Sequence, residues 1–180
     1  PRPSGDVDVC EGSLGKSEVD TTVITNTFSA GQKVGEHFHV RTNIILNSVM
    51  LRTQTSGLTS MIINIYNMPF QGVPDLTTPI KTFTVTTGLS TTGKEELWLA
   101  LPETFELPAD SGSSADNSYF ISFEGTGGSF TADVATIGGA SSFRQAYREF
   151  TSTTWSTEDQ QKSLSFGLAG DSDCNVFQGL

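Results

Sequence analysis

From Thr21 onward an alternation of apolar and polar residues with period two dominates, and Gly, Pro, Asn and Asp separate the runs. That period constrains the fold more than any other feature of the chain. Successive side chains of a strand point to opposite faces, so a period of two makes one buried and one wetted face, whereas a helix needs about 3.6. Met61, Ile63 and Ile65 share a face, as do Phe83 and Val85 against Thr82, Thr84 and Thr86. Leu97, Leu99 and Leu101 form another with Trp98 opposite, and Leu164, Phe166 and Leu168 alternate with Ser163, Ser165 and Gly167. Within Ile45–Arg52 the alternation puts Ile45, Val49 and Leu51 on one face with Asn47, and Tyr119, Ile121 and Phe123 alternate with Phe120 and Ser122.

Turn residues separate these runs, as in Thr55-Ser56-Gly57, Gly72-Val73-Pro74-Asp75, Thr91-Thr92-Gly93 and Gly125-Thr126-Gly127-Gly128. No segment reads as a convincing helix, although Phe143–Phe150 fits a helical turn or two as well as it fits a strand. About eight to ten short strands with such turns predict an all-β chain, an antiparallel β-sandwich of jelly-roll type in a single domain. The expected boundaries are an arm at 1–20, a sandwich at 21–170 and a C-terminal tail at 171–180.

At 180 residues the chain can bury one substantial core. Twelve Phe, three Tyr and two Trp exclude a disordered chain. Charged residues make up only 17%, against a usual quarter or so, and Ser, Thr and Gly take their place. The net charge of −10 and the scatter of Lys and Arg exclude nucleic acid and anionic membrane surfaces as partners. No apolar run approaches the roughly 20 residues of a membrane-spanning helix.

Cys10 and Cys174 stand near opposite ends, without the close spacing or His neighbours of a metal site. The ends of a compact domain often lie together, so a Cys10–Cys174 disulfide is expected, the alternative being two thiols in frayed tails. Such a bond needs an oxidising compartment. The start at Pro1 is read as that of a mature, processed chain, with a trimmed sequence the plainer reading. Both point to a secreted, extracellular or cell-surface protein.

Candidate chemistry is sparse. His37 and His39 project to one face of a strand, as a metal-dependent enzyme would require, but no third His exists and Asn43 and Ile44 stand where a cupin would place a Glu. The expectation is two histidines on an exposed strand face. Glu95 and Glu96 point to opposite faces of a strand, and Glu103 and Glu106 flank a Pro-bounded turn, so neither pair makes a glycosidase dyad. No Ser nucleophile motif or phosphate-binding Gly loop is present. The chain is expected not to be an enzyme, and to require no cofactor.

The order of segments resembles jelly-roll modules of secreted and cell-surface bacterial proteins, many of them related in shape to carbohydrate-binding modules. The resemblance spans about residues 30–170. It runs from Gly31-Gln32 and Phe38-His39-Val40 through Ile45–Leu51 and Ile63-Asn64-Ile65-Tyr66. It continues with Leu97–Leu101, Phe105–Ala109 and Ser118–Phe123, and ends with Ala146-Tyr147, Trp155 and Ser163–Phe166. This pattern is specific for fold and carries no ligand-binding position. It implies a non-catalytic extracellular module whose partner is a polysaccharide or surface glycan.

Aromatic rings grip sugars by stacking, so Trp155, Tyr147 and Trp98 are candidate platforms, with Arg144 beside them; a core role is the plainer reading of each. Such modules often carry structural calcium. Asp6 and Asp8 precede Cys10, and Asp171 and Asp173 precede Cys174, so a disulfide would gather four carboxylates of the kind Ca²⁺ prefers. A second reading is a structural subunit of a filament, sheath or surface layer whose partners are copies of itself. In it residues 1–20 act as an arm, with Val7 and Val9 alternating against Asp6 and Asp8 as a short added strand.

Overall fold

A computed structural model describes residues 6–7, 22–40, 43–67, 75–108, 118–136, 147–151, 153–157, 159 and 162–172. Every regular element among them is a strand. They are β1 (Asp6–Val7), β2 (Thr22–Phe28), β3 (Lys33–Val40), β4 (Ile44–Thr53), β5 (Thr55–Ser56), β6 (Ser60–Asn67) and β7 (Lys81–Val85). β8 (Glu95–Leu107), β9 (Ser118–Thr126), β10 (Ser129–Thr136), β11 (Tyr147–Phe150), β12 (Lys162–Leu164) and β13 (Phe166–Ser172) complete the series.

The chain is an all-β sandwich of sheets that are antiparallel except where β1 runs parallel to β3. One layer has the order β3-β9-β6-β7, and β11 and β1 both pair with the outer side of β3. The second layer is built from β12-β10-β2 and β13-β4-β8. Ser165 joins these two sheets: its N–H donates to the Asp133 carbonyl at 3.0 Å, and its carbonyl accepts from the Arg52 N–H at 3.2 Å. β12 and β13 are therefore one strand that passes from β10 to β4, and the layer reads β2-β10-β12/β13-β4-β8. Most connections change layer. The β9–β10 corner does so in two residues, with Gly127 at φ 82°. A Cβ on Gly128 would stand 2.0 Å from the Ser56 carbonyl oxygen, so only glycine fits that close approach.

The core fills the space between layers. β3 turns Val34, Phe38 and Val40 inward, β9 turns Tyr119, Ile121 and Phe123, and β6 turns Met61, Ile63 and Ile65. Phe38 meets Phe166 across the layers at 5.9 Å, and Phe28 stacks on Phe130 at 5.4 Å. Each such ring contributes roughly 1.5–3 kcal/mol on burial. β9 is buried on both faces: Phe120 packs outward against Tyr66 and Trp155 in a second, smaller cluster.

Two local expectations are corrected, and one alternative left open is decided. The β4–β8 register slips between Leu46 and Ser48. Leu46 is therefore buried while Ile45 is exposed, and Ile45 does not share the face of Val49 and Leu51. Residues 103–106 belong to the long strand β8. The irregularity leaves 101–104 without partners on β4, where Pro102, having no N–H, costs no ladder bond. Residues 147–150 are strand β11 and not a helical turn.

Candidate functional site

The edges of the two layers part where β2 faces β11. There a cleft of about 350 Å³ is lined by Ile24, Asn26, Thr27, Phe28, Gln32, Glu149, Phe150, Thr151 and Lys162. The alternation of β2 explains one wall. Ile24, Asn26 and Phe28 pair with Val134, Ala132 and Phe130 of β10 and share their inward face. Asn26 is thus a polar residue in an apolar phase, and β2 is the last strand of its sheet, so the amide faces the opening.

β11 supplies the other wall. It pairs with β3 so that Tyr147 lies opposite Glu36 and Glu149 opposite Val34, both in the inward phase. The Tyr147 hydroxyl donates to Glu149 Oε2 at 2.6 Å, and Asn26 Nδ2 donates to the same oxygen at 3.3 Å. Burial, and then the Glu149 carboxylate, push the Tyr147 phenol far above its ordinary range, so it is a fixed donor and not a base. The Lys162 ammonium lies 5.8 Å from the centre of the Tyr147 ring and 3.6 Å from Asp159 Oδ2. Lys33 covers the Phe150 ring at 4.6 Å. Gln32 Oε1 accepts from the Ser29 N–H at 2.8 Å, which leaves its amide NH₂ to donate.

The return segment after β11 braces this wall. Ser156 N donates to the Glu149 carbonyl at 2.7 Å, and Asp159 N to the Tyr147 carbonyl at 2.9 Å. Arg148 Nη1 donates to the Ser156 carbonyl at 3.0 Å. Trp155 packs edge-on against Phe120 at 5.4 Å and Phe150 at 5.5 Å. A carboxylate fixed by two donors, with amides, hydroxyls and two ring edges around it, suits a hydroxyl-rich ligand of low charge.

Behind Tyr147 lies Glu36, fully buried in the inward phase of β3. Its Oε1 accepts from the Leu164 N–H at 2.6 Å, and Ser163 Oγ stands 3.5 Å from Oε2. Burial raises its pKa well above the ordinary carboxyl range, and the two hydrogen bonds offset only part of that rise. Glu36 ties β3 to β12 across the sandwich and has no surface of its own in the cleft. Asp133 is a different buried carboxylate, on the outward face of β10. It is held by Thr25 Oγ1 at 2.8 Å, Arg52 Nε at 3.2 Å and Lys94 Nζ at 3.2 Å, and it locks the strands of the second layer together.

The residues expected to bind ligand divide among three places. Tyr147 and Trp155 meet on the β11 hairpin, Tyr147 under the cleft and Trp155 as a brace on the outer face. Trp98 projects from the outer face of the second layer, in register with Met50, and does not join them. Arg144 lies outside the described residues, as do Cys10, Cys174, Asp8 and Asp173. Asp6 and Asp171 are placed by backbone alone, opposite His39 and Ile45 respectively. His37 is buried on the outer face opposite Phe120, not exposed as the alternation suggested. Among the described residues no group of three His, Cys, Asp or Glu side chains is placed to hold a metal ion. No helix among them is long and apolar enough to cross a membrane.

Sequence reasoning missed Asn26, Gln32, Glu149, Phe150 and Lys162. Asn26 carried a signal, a polar residue between Ile24 and Phe28 in the apolar phase. The others lie in short or irregular stretches where no period is readable. No protein-family model matches the chain, and no curated protein matches it.

Proposed function

We propose that this chain is a non-catalytic extracellular binding module, and that the cleft between β2 and β11 holds a carbohydrate. The observation that carries this reading is the Glu149 carboxylate. Tyr147 and Asn26 fix it from within, so its remaining lone pairs accept from a ligand without side-chain ordering cost. Gln32 and Lys162 add donors, and Ile24 and Phe150 add apolar surface for the C–H faces of a sugar ring. The layer orders β3-β9-β6-β7 and β2-β10-β12/β13-β4-β8, with most connections crossing between layers, support the jelly-roll winding expected from the sequence, the fold of the modules the chain resembles.

The test is a broad glycan array followed by calorimetry on any hit. Wild type binds, and Glu149→Gln and Phe150→Ala each weaken the same glycan about tenfold, or roughly 1.4 kcal/mol. An array with no hit, or variants that bind as wild type does, removes the cleft from consideration.

A further inference from the structure

A sheet edge exposes unpaired N–H and C=O groups and invites another strand, and proteins blunt such edges with charges, Pro, bulges or a covering segment. This chain does so at its other edges. β7 carries Lys81, joined to Glu103. β8 carries Glu95, Glu96, Glu103, Glu106 and Pro102, with 101–104 bulged out of register. β11 is covered by its own return segment, through the Phe150–Trp155 and Tyr147–Asp159 bridges.

β2 has none of these devices. Its sequence, Thr-Val-Ile-Thr-Asn-Thr-Phe, holds no charge and no Pro. It pairs with β10 in unbroken register over all seven residues, and among the described residues no strand pairs with its other edge. Val23 and Ile24 stand 48% and 37% exposed there, among the large exposed apolar side chains of the described residues.

We propose that β2 is an interaction edge that pairs, antiparallel, with β2 of a second copy of this chain. The strand is its own complement. Centred on Thr25, the pairing sets Thr25 against Thr25 of the second copy and Val23 against its Thr27, the β-branched and threonine pairs that stabilise sheets. Charge selects the same place. Two molecules of net charge −10 repel, and β2 carries no charge of its own; of the carboxylates that touch it, Glu149 is held by Asn26 and Tyr147 and Asp133 by Thr25. Beside it Arg52 and Lys94 neutralise Asp133. The contact joins the two second layers into one continuous sheet and differs from the terminal arm considered above. The cleft opens at the same edge of β2, so the second copy's strand and a glycan in the cleft compete for it.

Sedimentation of the full chain from low micromolar to near-millimolar concentration tests it. Wild type forms a dimer, and the dimer strengthens as salt rises, because salt screens the repulsion of like-charged molecules. Val23→Lys weakens association about tenfold or more, while Val23→Thr stays within about threefold of wild type. Circular dichroism confirms that the variants fold. If Val23→Lys does not fold, hydrogen exchange of wild type replaces it: protection of residues 22–28 rises with protein concentration. A wild type that stays monomeric, a folded Val23→Lys that associates unchanged, or concentration-independent exchange in β2 overturns the proposal.

Discussion

Asn26 and Glu36 are polar residues in the inward phase of otherwise apolar strands, and the interior has answered each differently. Both anomalies are readable in the sequence, as Ile24-x-Asn26-x-Phe28 and Val34-x-Glu36-x-Phe38. What the sequence does not carry is the cross-strand register that points Asn26 at Glu149 and Glu36 at Leu164. Glu36 is the clearer case for a pH experiment. Its folded-state pKa is raised, mainly by burial, so the folded chain keeps a proton that the unfolded chain releases. Its contribution to stability is full below the ordinary carboxyl range. It is lost progressively as pH climbs from there, until the buried group itself ionises. Glu36→Gln keeps an acceptor for the Leu164 N–H and carries no ionisable group. Thermal melts of this variant should match wild type near pH 4 and exceed it by a few degrees near pH 8, at about 2–4 °C per kcal/mol. A variant less stable than wild type at pH 8 would show that the ionised carboxylate is the stabilising form. Tyr147→Phe removes one of the two donors to Glu149. It should cost about 1 kcal/mol in denaturant melts and weaken glycan binding more than it weakens the fold. Equal losses in both would make Tyr147 purely structural.

Strands with clean alternation were legible: β6, β7, β9 and the β12–β13 strand run where the period of two puts them. The failures lie where the backbone leaves that period. The slip at Asn47 moves Ile45 to the outside and Leu46 to the inside, and its one local mark, Pro102, lies on the partner strand, far from Ile45 in sequence. β11 was ambiguous because Tyr147–Phe150 is too short to show a period. Its wall of the cleft exists only through pairing with β3 and through its own return segment. The β9–β10 corner, by contrast, was marked by Gly127-Gly128. Gly128→Ala places a methyl within contact-forbidden distance of the Ser56 carbonyl and of Gly57. Thermal unfolding should show a loss of about 1–3 kcal/mol. Gly93→Ala meets nothing within 4 Å and should be neutral or slightly stabilising. If the two variants melt alike, the corner is not the tight crossing described.

At the scale of the whole molecule the first and last described strands, β1 and β13, come to neighbouring places. Val7 pairs with Val40, and Ser172 pairs with Ile44, positions joined by one short connection. Cys10 and Cys174 follow a few residues beyond each. The unreduced protein should therefore weigh two hydrogen atoms less than the reduced one, and reduction should lower the melting temperature, by up to about 5 kcal/mol of stability on the chain-entropy model. Labelling of both thiols in unreduced protein would rule out the bond. Under the proposed function the ligand sits in the cleft between β2 and β11. The most direct test is a titration of isotope-labelled protein with the best-binding glycan, read by amide and side-chain NMR shifts. The account predicts that the largest changes fall on Asn26, Thr27, Gln32, Glu149 and Phe150, and that those around Trp98 do not move. Shifts centred on Trp98 and the outer face of β8, or no shift with any glycan, would contradict it.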